Sequence, residues 1–75
     1  MSLTEEQKKA VIRQMITEWE ATAFAAEVNI RVADRIGDQA MRAEAIRRLK
    51  KAEGAQKALR EELDGLGNDG ANPKT

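Results

Sequence analysis

Between residues 12 and 33, apolar side chains recur in alternating steps of four and three: Ile12, Ile16, Trp19, Ala23, Ala26, Ile30 and Ala33. The second half repeats the alternation through Ala45, Leu49, Ala52, Gln56, Leu59, Leu63 and Leu66. Steps of three and four keep side chains on one side of an α-helix, and their alternation is the heptad seam of coiled coils. The pattern predicts two long helices, each with one sticky edge.

The punctuation between them agrees. Ser2-x-x-Glu5 and Thr4-x-x-Gln7 both have the form of a capping box. No glycine or proline then occurs before Gly37. Gly37 suits a left-handed helix end, and Asp38 suits the N-cap of a following helix. Gly65, Gly67, Asn68, Gly70, Asn72 and Pro73 are loop residues. The expected organisation is one hairpin over residues 1–64, with helix 1 at about 4–36, a turn at 37–38 and helix 2 at about 39–64. A flexible Gly/Asn-rich tail is expected over 65–75.

A turn near residue 37 makes antiparallel partners of positions whose numbers add to about 75. The seams then meet in layers: Ile12 with Leu63, Ile16 with Leu59, Trp19 with Gln56, Ala23 with Ala52, Ala26 with Leu49, and Ile30 with Ala45. Large faces small in two layers near the turn. Trp19, the only tryptophan, faces Gln56, whose side-chain carbonyl could accept from a buried indole N–H. The fold class is therefore all-α, an antiparallel two-helix hairpin with a coiled-coil-like seam. Gly54 breaks the helix-forming run, and reads as a tolerated exposed position, a mild bend or a point of close helix approach.

One hairpin does not account for helix 1. At about 100° per residue, Val11, Met15, Thr22, Ala25, Val32 and Ile36 lie to one side of its seam. Phe24 and Val28 lie apart again, near Ala21 and Arg35. A helix that is apolar over so much of its circumference is buried on more than one side. The simplest cover is a second copy, giving a four-helix bundle from two antiparallel hairpins as a homodimer. A different helical protein is the other candidate partner.

Charge bears on the orientation. Acidic and basic residues balance at 13 each, but unevenly along the chain. Residues 1–30 are net −2, residues 31–51 net +4 and residues 52–75 net −2. The turn end is basic and the ends of the hairpin are acidic, so head-to-tail pairing brings opposite charges together.

Candidate chemistry is sparse. The chain holds no cysteine and no histidine, which removes disulfides, Cys/His metal sites and a histidine-based triad. Glu5/Glu6, Glu18/Glu20 and Glu61/Glu62 are too close in sequence to converge on one atom from a helix. Glu5–Lys9, Glu27–Arg31, Asp38–Arg42, Glu44–Arg48 and Glu53–Lys57 read as ordinary i,i+4 pairs. No catalytic, metal or cofactor residues are assigned, and an enzyme is not expected. Helix 2 does carry a rough basic stripe, Arg47, Lys50 and Lys57, which is the candidate contact for nucleic acid. No apolar run is long enough for a membrane span, and the absence of cysteine suits a reducing, cytoplasmic setting. Size and composition fit a small bacterial or phage accessory protein. The expected function is a non-enzymatic, self-associating interaction or structural module. The alternative is a small regulatory hairpin that binds nucleic acid at its basic turn end.

Overall fold

The computed structural model describes the backbone of residues 2–71 and the side chains of residues 2–67. Helix α1 runs Glu5–Ile36 and helix α2 runs Gln39–Ala71. They pack antiparallel as a hairpin rod of 54 × 24 × 15 Å. A helix of 33 residues rising about 1.5 Å per residue is roughly 50 Å long, so the long axis is one helix.

Of the two candidate start signals, Thr4 is the one used. Its hydroxyl accepts from the Gln7 N–H at 3.1 Å, and the Gln7 side chain accepts from the Thr4 N–H at 2.9 Å. Ser2 lies outside the helix. At the other end Gly37 takes φ +73°, ψ +29°, a conformation in which a Cβ would be strained. Its N–H and that of Asp38 both return to the Ala33 carbonyl. Asp38 then caps α2, accepting from the Met41 N–H at 2.9 Å. The turn is thus two residues long, as the sequence implies, because each residue satisfies helix-end groups that would otherwise be left without partners.

At the end of α2, beside the turn and in the Trp19 layer the hairpin differs from the expectation. The helix does not stop at Asp64: α2 continues to Ala71, through Gly65, Gly67 and Gly70. Glycine costs a helix roughly 1 kcal/mol each, but it keeps its N–H and does not break the hydrogen-bond ladder. Only Pro73 would do that, and it and the rest of residues 72–75 lie outside the described part of the chain. Arg42 does not pair with Asp38. The capping role occupies the Asp38 carboxylate, and Arg42 bonds Asp34 across the turn at 2.8 Å. Trp19 and Gln56 make no hydrogen bond to each other among the described residues. Both are only half-buried, so water can reach the indole N–H and the amide.

The core is made mostly of alanine. Buried positions among the described residues are Ile16, Ala23, Ala26, Ala33, Ala45 and Ala52. Ile12, Trp19, Ile30, Leu49, Leu59 and Leu63 are half-buried. Small residues at the contact line let the two helices approach closely. The larger side chains then extend past the line of contact and are covered on one side only. A second ion pair spans the helices near the middle of the rod, Arg60 to Glu20 at 3.1 Å.

Gly54 is exposed, and a Cβ built there meets nothing within 4 Å. The helix passes through it unbroken, and no part of the described chain comes close to it. Gly54→Ala is expected to raise stability by about 0.4–1 kcal/mol, by reducing the freedom of the unfolded chain and favouring helix. Denaturant melts would show this as a higher midpoint with unchanged slope.

Candidate interaction surface

Every residue assigned to the intramolecular seam is buried or half-buried. The other side of α1 is different. Val11 is 48% exposed, Met15 40%, Val32 39% and Ile36 65%. Thr22 and Ala25, between them on the same side, are exposed as well. These residues follow one another at the helical spacing of three, four and seven, so α1 presents a stripe along most of its length, interrupted by Glu18 and Asn29. α2 cannot cover it, because its own seam is spent on the opposite contact.

Thr22 is less polar in this setting than its hydroxyl suggests. Its Oγ1 donates to the Glu18 carbonyl at 3.2 Å, within the helix. The hydroxyl is satisfied locally, so a partner covering the site would not leave it without a hydrogen bond.

Phe24 is 63% exposed and stands off the seam. Val28, one turn further on, is half-buried. Val28, Arg31, Val32 and Arg35 line a small cleft on the surface of α1. The stripe and this neighbouring patch together leave apolar side chains exposed around a wide arc of one helix.

No protein family, no curated protein and no solved structure matches this chain. The functional reading therefore stands on the surface itself.

The basic side of α2 is weaker than its sequence suggests. Arg47 and Arg48 both donate to the Glu44 carboxylate, Arg48 at 3.1 Å. Hydrogen bonds from Arg47 and then Arg48 hold the Glu44 carboxyl below the usual carboxylate range. Arg42 and Arg60 are engaged with Asp34 and Glu20. Of the candidate nucleic-acid contacts, only Lys50 and Lys57 have no carboxylate within ion-pair distance among the described residues. The expected pairs Glu27–Arg31 and Glu53–Lys57 are not formed. Glu5 and Glu6 bond Lys8 and Lys9 at a spacing of three, in place of the expected Glu5–Lys9. Surface pairs of this kind contribute little to stability and exchange readily.

Among the described residues no group of three or more acidic side chains converges on a point. The grooves between and beside the helices are shallow and lined by residues such as Asn29, Met41, Glu44 and Arg48. No helix among the described residues is long and apolar enough to cross a membrane.

Proposed function

We propose that this chain is a non-enzymatic helical interaction module that self-associates through the outer face of α1, two hairpins forming a four-helix bundle. One observation carries the reading: α1 exposes Val11, Met15, Val32 and Ile36 in one stripe while the hairpin's own core is largely alanine. A chain this small buries little of its surface, and here no large side chain among the described residues is fully buried. Association would supply the apolar burial that the hairpin lacks. Binding of nucleic acid is less favoured, because Arg47 and Arg48 already share a carboxylate and there is no aromatic platform for bases on α2.

Thermal melting at several protein concentrations tests the reading. A self-associating chain melts at a temperature that rises with concentration, by mass action. A melting temperature that is constant over a hundredfold range of concentration would rule out self-association as the source of stability.

A further inference from the structure

The stripe on α1 reads the same from both ends. Starting from its extremes, Val11 is matched by Ile36 and Met15 by Val32, large apolar residues both times. Moving inward, the positions are Glu18 and Asn29, one acidic and one amide. At the middle stand Thr22 and Ala25, the two smallest. Each pair of positions adds to 47. The outer pair is the more exposed of the two apolar pairs, at 48% and 65%, and the inner pair less so, at 40% and 39%. A surface that meets a twofold copy of itself must be complementary to its own reversal, and this one is.

We infer that the second copy docks in one register, with α1 of each protomer antiparallel to α1 of its partner and the twofold axis passing beside residues 23 and 24. The inference rests on the self-association proposed above and fixes its geometry. Val11 then packs on the partner's Ile36, and Met15 on the partner's Val32. The Glu18 carboxylate lies beside the partner's Asn29, whose amide can donate to it. Thr22 meets the partner's Ala25 at the axis, where small residues let the helices come close. Parallel pairing would instead set Glu18 against its own copy, a like-charge contact in the middle of an apolar seam.

Charge along the chain supports the same orientation. The turn half, net +4 over residues 31–51, lies beside the partner's open end, where residues 1–30 and 52–75 are each net −2. Parallel stacking would place like beside like at both ends of the rod.

The chain contains no cysteine, so disulfide trapping can read the register. Met15→Cys and Val32→Cys chains, one carrying an affinity tag, are mixed in a glutathione redox buffer. A mixed disulfide between the two variants is expected, with little cross-linking of either variant alone. In the proposed register two copies of residue 32 are about 25 Å apart along the axis, at about 1.5 Å per residue, far beyond disulfide reach. Thr22→Cys mixed with Ala25→Cys repeats the test at the axis, should either outer variant fold poorly. Self-cross-linking of Val32→Cys alone would overturn the register in favour of a parallel pair. So would a dimeric mass for the unaltered chain with no mixed disulfide at either site, and in that case self-association itself would stand. A monomeric mass at every concentration would remove both.

Discussion

Ile16→Ala is expected to lower stability by about 2–5 kcal/mol, the range for emptying a buried isoleucine site. Ile16 is the only large side chain among the buried positions of the described residues, at 8% exposure. The other buried positions are alanines, which have little to lose on truncation and little bulk with which to fill a cavity. Total stability for a chain of 75 residues is of order 4–11 kcal/mol at the usual 0.05–0.15 kcal/mol per residue. The substitution thus removes a large share of it. Each kcal/mol shifts the melting temperature by about 4–8 °C at this size, so the effect is readable by circular dichroism at fixed protein concentration. A loss below about 0.5 kcal/mol would mean that Ile16 does not carry the core.

Val32→Asp is expected to weaken self-association by a hundredfold or more while leaving the helices intact. An aspartate in the interior of a helix costs at most roughly 0.7 kcal/mol in propensity. Covered by a partner helix, an unpaired carboxylate costs several kcal/mol, and a twofold dimer contains the substitution twice. A loss of about 2.7 kcal/mol is already a hundredfold in the dissociation constant. If no partner covers Val32, the same change falls on a position 39% exposed and alters little. Lys50→Asp is the control: it changes charge by more, on the basic side of α2, and is expected to leave the mass unchanged. Sedimentation velocity of the two variants beside the parent chain separates the cases.

Much of the hairpin was legible in the sequence because backbone and seam speak in local terms. The 4–3 spacing of Ile12 to Ala33 and of Ala45 to Leu66 identifies the facing edges. Gly37 and Asp38 are residues that few other places in a helical protein would use together. What failed to show was most of what long side chains decide: of the expected i,i+4 pairs, only Glu44–Arg48 forms among the described residues. Whether Arg42 reaches Asp34 or Asp38 depends on which carboxylate the cap has already taken. The pair of Glu20 with Arg60 joins residues 40 apart, which no i,i+4 rule anticipates.

The depth of each seam residue was also hidden. A heptad assigns Ile30 and Ala26 to the same edge and says nothing of how close the helices come. With alanines at the contact line the backbones draw together, so that Ala26 and Ala52 sit at 2% and 0% exposure. Ile30 and Leu49 reach past the contact and remain half-wet. The end of α2 does not show in the sequence for a related reason. Gly65, Gly67 and Gly70 lower helix propensity, but propensity is a weak prior, and the ladder of backbone hydrogen bonds continues wherever nothing blocks it. The outer stripe of α1 was visible in the sequence as excess apolar arc; its symmetry about residues 23 and 24 becomes meaningful only once α2 is known to lie on the other side.

The most direct test of the account is the molar mass in solution, measured by light scattering over a concentration series. A mass of twice the 8.3 kDa chain is expected, falling toward one chain only on dilution or with Val32→Asp. A mass of one chain at every concentration would contradict it, and would leave Val11, Met15, Val32 and Ile36 uncovered by any second copy.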